Sequence, residues 1–214
     1  IMAVQREAQS SLSTVSSLSA LYQSFKHVTP EQYRIFIQPL LSENACLHAM
    51  AVNFVVAADK LATFESLQRA EGLTNFTVTE KSLNGQLVPV RPRSEYVPVG
   101  LLEPIEGNEK ALGYDILSES IRREAVVRAI QTLKPVATGP IELVQEREGQ
   151  KGFLFIVPVP EKNALNGAVR VDKLAVGVFR VGDLVEFALK RLPDVGVDFD
   201  VNEQGPSGET IVMH

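Results

Sequence analysis

Apolar residues near the N-terminus recur at alternating spacings of three and four. Val4, Ser11, Leu18 and Phe25 form one series and Ala8, Val15 and Tyr22 the other, with Ser11 the single polar member. The spacing predicts a helix over the first 27 residues with a narrow apolar stripe, either a coiled-coil seam or a face packed on its own domain. A second helix is predicted from Thr29 to about Leu41, kinked at Pro39. Its start carries a hydroxyl at the N-cap, Pro30 at the first helical position and Gln32 at the third, the arrangement of a capping box. Cys46 to Val56 reads as a buried strand, and Ala57 to Glu71 as a helix stopped by Gly72.

From Phe76 the period changes to two. Phe76, Val78 and Glu80 begin a strand, Asn84-Gly85 signals a tight hairpin, and Leu87 to Val90 returns. Tyr96 to Leu102 is a further strand after Pro92. A helix capped by Ser118 or Ser120 runs to about Leu133, with Ile121, Ala125, Val126 and Ala129 on its apolar side. Strands follow at Ile141 to Gln145 and Phe153 to Val159 across the polar turn 146–152. After Pro160 come a strand (Leu174 to Phe179), a helix (Val181 to Leu192) and strands at Val197 to Val201 and Thr210 to Met213. Runs of strands with inserted helices favour antiparallel α+β sheets over strict βαβ winding. The grouping occurs twice, which predicts two related subdomains beside a long helix.

Composition narrows the partners. Against 26 acidic residues stand 21 Lys plus Arg, a formal charge of −5. A duplex nucleic acid requires a concentrated basic stripe, so nucleic acid is excluded as a partner. One cysteine, Cys46, excludes internal disulfides and multi-cysteine metal sites. The longest apolar run, Ala45 to Ala58, is interrupted by His48 and Asn53 and falls short of the roughly 20 residues of a bilayer span. No signal-peptide pattern occurs. The segment therefore reads as cytoplasmic or as a piece of a membrane protein taken from between its spans.

Catalytic motifs are missing: there is no G-x-G-x-x-G, P-loop, G-x-S-x-G or H-E-x-x-H. Asp198 and Asp200 share one strand face, open to a divalent cation or simply to solvent. Cys46 beside an apolar run reads as a buried thiol; a dyad with His48 would need a third group to hold the base. Binding, with no metal and no cofactor, is the better expectation than turnover. Asp115 lies just ahead of a helix, where negative charge is favoured. Arg122 and Arg123 lie in that helix's first turn, a poor place for cations, which implies pairing with Asp115, Glu119 or a bound anion.

One ordered set of residues carries more. Arg93-Ser-Glu-Tyr-Val-Pro-Val99, Glu103-Pro104, Asn108, Ala111-Leu-Gly-Tyr-Asp115, Arg122-Arg123, Ala125, Ala129, Thr138, Pro140 and Gly152-Phe-Leu-Phe-Ile-Val-Pro-Val159 succeed one another along the chain. Together they resemble the CHASE domain, an extracytoplasmic sensor of histidine kinases and nucleotide or diguanylate cyclases that includes the plant cytokinin receptors. Thr29 to Leu41 resembles the family's second helix, and Gly177-Val-Phe-Arg-Val181 with Leu184 the opening of its second subdomain. The resemblance implies a long N-terminal helix and two PAS-like antiparallel subdomains in tandem: a helical stalk over 1–42, a membrane-distal ligand-binding unit over 43–160 and a membrane-proximal unit over 161–214. It also implies a small-molecule ligand contacted by Tyr96, Leu102, Glu103, Tyr114, Val127 and Thr138. The aspartate that reads adenine in cytokinin-binding members corresponds to Pro104 here, next to Glu103. Flanking transmembrane helices, a homodimer through the N-terminal helix, a periplasmic or extracellular location and a kinase or cyclase output module are further implications. The alternative is a soluble PAS-like enzyme or a stand-alone binding protein.

Overall fold

A computed structural model describes residues 2–25, 27–144, 151–162, 167–183, 202–204 and 210–212. In chain order the elements are α1 (Met2–Ser24), α2 (Pro30–Glu43), β1 (Leu47–Phe54), β2 (Val56–Ala57), α3 (Leu61–Ala70), β3 (Thr79–Lys81), β4 (Leu87–Pro89), β5 (Glu95–Tyr96), β6 (Val99–Glu103), α4 (Ser120–Thr132), β7 (Val136–Ala137), β8 (Ile141–Glu142), β9 (Lys151–Lys162), β10 (Val169–Arg180), β11 (Asn202–Gln204) and β12 (Thr210–Val212). The mixture of helix and antiparallel sheet is the α+β class expected.

Local signals act as written in the sequence. Thr29 Oγ1 accepts from the Gln32 N–H at 3.2 Å while Gln32 Oε1 accepts from the Thr29 N–H at 3.0 Å, closing the capping box of α2. Past the end of α3 the Leu73 N–H returns to the Gln68 carbonyl at 3.2 Å across Gly72, a Schellman-type stop. Asn84-Gly85 turns the β3–β4 hairpin. Pro98, which has no N–H, divides the expected strand Tyr96–Leu102 into β5 and β6. The cap of α4 is Glu119 rather than Ser118 or Ser120: its carboxylate accepts from the N–H groups of Ile121 and Arg122. Ile121, expected on the apolar side, is exposed at the first turn.

The main sheet has the order β6-β1-β10-β9-β7, with β8 also paired to β9. The strand expected to open a second subdomain, Leu174 to Phe179, belongs to β10 and lies between β1 and β9. The reason is its sequence: Leu174, Ala175, Val176, Val178 and Phe179 are buried without alternation, which suits a central strand covered on both faces. A boundary at 160/161 would cut the β9–β10 hairpin. Of the later elements expected, the helix Val181 to Leu192 has only residues 181–183 described, and the strand Val197 to Val201, with Asp198 and Asp200, lies outside the described residues. β11 and β12 form a separate two-stranded pair.

Each face of the sheet has its own core. On one side α1 and α2 pack Val15, Leu18, Tyr22, Tyr33 and Ile37 onto Met50, Val52, Leu101, Val157, Ala175 and Phe179. On the other, α4 and the preceding segment pack Tyr114, Ile116, Ala125, Val126 and Ala129 onto Ala49, Ala51, Leu102, Leu154, Ile156 and Val176. The apolar stripe of α1 thus meets its own sheet. Val15 and Leu18 are fully buried there, which leaves no room for a partner helix at those positions, while Phe25 at the end of the series is exposed. The side chains of Val4 and Ala8 are outside the described residues.

The seat of α1 is set by Gly177 on β10. A Cβ at that position would lie 2.5 Å from Val15 Cγ2 and 3.0 Å from Leu47 Cδ1, closer than packed carbons stand. Nearby the buried Ser19 hydroxyl donates to the Pro158 carbonyl at 2.9 Å, fixing helix rotation against β9. Gly177→Ala should destabilise the domain by about 1–3 kcal/mol through overpacking. The shift in urea midpoint measures it, and Val15→Ala in the same chain should recover part of the loss because the two side chains share the space.

Candidate ligand-binding site

Between the sheet and the α4 layer lies a small chamber. Its floor is Ala51 and Asn53 of β1, Val99 and Leu102 of β6, Leu154 of β9, and Val176 and Val178 of β10; Tyr114, Ile116, Arg122 and Leu143 close it from above. Its volume is about 40 Å³, room for a few waters, well under the roughly 300 Å³ at which ligand pockets begin. Backbone irregularities decide who faces it. Val52 pairs with Leu101 but Asn53 pairs with Val99, so Gly100 is an extra residue in β6, and the bulge brings both Val99 and Leu102 to the chamber side.

Asn53 is the polar group in this apolar wall. It is buried, its Nδ2 reaches the Val97 carbonyl only at 3.4 Å, and its Oδ1 has no hydrogen-bond partner among the described residues. A buried acceptor left unpaired costs about 1–3 kcal/mol. Opposite it, the buried Arg122 guanidinium lies 5.5 Å from the Tyr114 ring centroid and donates to Glu119 Oε2 at 3.0 Å and to the Glu142 carbonyl at 2.7 Å. The site therefore offers an apolar enclosure, one free acceptor, an aromatic face and a guanidinium already held in place.

Tyr114 is aimed by its neighbours. Gly113 has φ +78, and a Cβ there would lie 2.2 Å from the Thr77 carbonyl oxygen, so only glycine permits this approach. On the other side Asp115 is wholly buried; its Oδ1 accepts from the N–H groups of Val97 at 2.7 Å and Leu117 at 3.1 Å, and its Oδ2 from Arg93 Nη1 at 2.7 Å. Arg93 also donates to Glu80, which takes a 2.5 Å hydrogen bond from Arg91 Nε. Burial pushes the Asp115 carboxyl up despite the backbone donors and Arg93. Burial also raises Glu80, but the hydrogen bonds from Arg91 and the charge of Arg93 outweigh it and hold that carboxyl below its usual range. Asp115 thus pairs with Arg93, not with Arg122 or Arg123. Arg122 pairs with Glu119, and the exposed Arg123 caps the preceding turn through the Leu117 carbonyl at 2.7 Å.

Of the six ligand contacts expected, the structure brings Leu102 and Tyr114 into the chamber together with Arg122. Tyr96 is buried on β5 within the ionic cluster, its hydroxyl accepting from the Arg93 N–H at 3.0 Å. Thr138 stitches the sheet edge, accepting from the Leu154 N–H at 2.9 Å. Val127 is 42 % exposed, because α4 buries positions 122, 125, 126 and 129 and the helical period turns 127 outward. Glu103, one residue beyond Leu102 on the strand, points into a different cleft, where burial raises its carboxyl and Arg34 partly offsets the effect. Asn53 was not among the expected contacts; its signal was a lone amide in the apolar run from Cys46 to Val56. Among the described residues no group of three His, Cys, Asp or Glu side chains is placed to hold a metal ion.

Replacing Arg93 by Leu leaves the buried Asp115 carboxylate without its cation and should cost about 3–5 kcal/mol at pH 7. Without the guanidinium the Asp115 carboxyl, already raised by burial, rises further while Glu80 keeps Arg91, so the lost stability should return as the pH falls through the folded Asp115 value. Urea titrations of Arg93→Leu at several pH values between neutral and mildly acidic check the sign: the gap to the parent should narrow toward acid.

Comparison with known proteins agrees with this architecture at the level of family. The family model of the CHASE domain matches residues 26–214. No curated protein matches the chain. The match begins after α1 and takes in α2, the sheet and the chamber: the chain belongs to the CHASE domain family, the extracytoplasmic, non-catalytic sensory domains of signalling receptors.

Proposed function

We propose that this chain is the small-molecule sensor of a transmembrane histidine kinase or diguanylate cyclase and that its ligand occupies the chamber between the sheet and α4. The observation that carries the reading is the unpaired Asn53 Oδ1 in an apolar wall beside Tyr114 and Arg122. A ligand with a hydrogen-bond donor and a mainly apolar body satisfies that acceptor and must widen the chamber to fit. The PAS-like description of the sheet unit is supported by its five-position antiparallel order with helices on both faces; a second such unit would include the residues after β10.

Widening has a route outward. Val176 and Val178 of β10 line the chamber, and Gly177 between them seats Val15 of α1 on the opposite face. A ligand that pushes on β10 shifts the bed of the N-terminal helix. It changes signalling only by its differential affinity for the two positions of that helix. A homodimer through α1 would use the side away from the sheet, where Ser13 and Ala20 are exposed.

A thermal-shift screen of metabolites should find compounds that raise the melting temperature, since a ligand of the folded state stabilises by mass action. Asn53→Leu, which removes the acceptor, and Leu102→Phe, which fills the chamber, should each weaken a hit about tenfold or more. Wild-type shifts in both variants would place the ligand elsewhere. In the intact receptor, a reporter fused after this segment should report export, and cytoplasmic activity at that point would remove the sensor reading.

A further inference from the structure

A second cavity lies outside the chamber, in the crevice where the start of α2, the end of α3 and strand β6 meet. Its volume is about 220 Å³, several times that of the chamber, and Leu102 is the one wall residue common to both. Its base is apolar, made by Leu73, Leu101, Leu102 and Leu112, with Ile105 at the margin. Its charged groups are mostly acidic. Glu31, Glu71 and Glu103 bring three carboxylates against the single guanidinium of Arg34, which is engaged by Glu31 at 2.5 Å on the exposed side of α2.

Two of the acceptors are without partners. Gln68 is 5 % exposed, and its Oε1 finds no hydrogen bond among the described residues. Glu103 is half-buried and has no ion-pair partner within 4.0 Å among them. A partly desolvated carboxylate and a buried amide oxygen in an acidic crevice lack the same thing, a cation with several donors. An ammonium group has three N–H donors and no acceptor, and it matches this set. The volume lies below the range of drug-sized pockets, so the rest of the ligand must be short. The apolar base calls for a hydrocarbon tail.

We propose that this crevice binds a small primary amine in its protonated form, with the ammonium held by Glu103, Glu71 and the Gln68 carbonyl and a short apolar tail on Leu73, Leu101 and Leu112. The site is independent of the chamber ligand and gives the domain a second chemical input. It sits directly on α2, beside the helix that covers the same sheet face as α1.

The test uses calorimetric titration of the 214-residue chain with n-butylamine at pH 7, against 1-butanol and butyrate as tails without the cation. Butylamine should bind and the two controls should not bind in the same concentration range. Glu103→Gln and Gln68→Met should each weaken the amine about tenfold or more, the scale of a lost charge-assisted or buried hydrogen bond. Arg34→Gln removes the competing cation and should tighten binding, a direction that misfolding does not produce. Asn53→Leu, in the chamber, should leave the amine affinity unchanged. Equal binding of butylamine and butanol, an unchanged affinity in Glu103→Gln, or weaker binding in Arg34→Gln would overturn the proposal.

Discussion

Strand β10 is hydrogen-bonded along both edges and buried on both faces, and the rest of the domain is arranged around that double burial. With β1 on one side and β9 on the other, it cannot shift register without moving an apolar row out of one core and into the other. Gly177 at its centre lets α1 come within contact of the backbone, while Val176 and Val178 supply the floor of the chamber on the reverse. One strand therefore separates the candidate ligand from the candidate transmitting helix by a single backbone thickness. Cores of this density respond to an added volume by moving elements, not by local compression.

The ionic cluster serves the same geometry from the side. Glu80 on the β3 hairpin, Arg93 ahead of β5 and Asp115 before α4 come from separate stretches of the chain and tie three segments together through two ion pairs. Buried ion pairs contribute little net stability compared with apolar residues of the same shape, but they are intolerant of alternatives. Here the cluster fixes the segment that carries Tyr114 and Ile116 over the chamber. Its part is positional: it keeps the roof in register with the floor, and its side chains do not line the chamber.

The two cavities differ in what they ask of a ligand. The chamber is apolar with one unpaired acceptor, and its charged group is already satisfied by Glu119 and the Glu142 carbonyl. The crevice is acidic, larger and partly open, and two of its acceptors, Gln68 Oε1 and the Glu103 carboxylate, are unpaired among the described residues. They lie on the two faces of the same edge strand, β6, and Leu102 is common to both walls.

Much of the local structure was legible in the sequence. The capping box at Thr29, the stop at Gly72, the Asn84-Gly85 hairpin and the helix ending near Leu133 depend on groups within about four residues of each other, so the sequence alone determined them. The ordered motif from Arg93 to Val159 likewise identified the family before any contact was known. Of the residues expected around the ligand, Leu102 and Tyr114 line the chamber, whereas Tyr96, Thr138, Glu103 and Val127 face elsewhere, because facing depends on bulges and helix phase. An extra Gly100 turns β6, and one step along α4 separates the buried Val126 from the exposed Val127. Partner choice was equally hidden: Asp115 takes Arg93 from 22 residues upstream instead of the arginines on the helix that follows it. Only the tertiary structure decided that β10 joins the first sheet, that the α1 stripe is spent on it, and that Asn53 faces a chamber. Each follows from pairing register between distant segments, and no window of neighbouring residues contains that information.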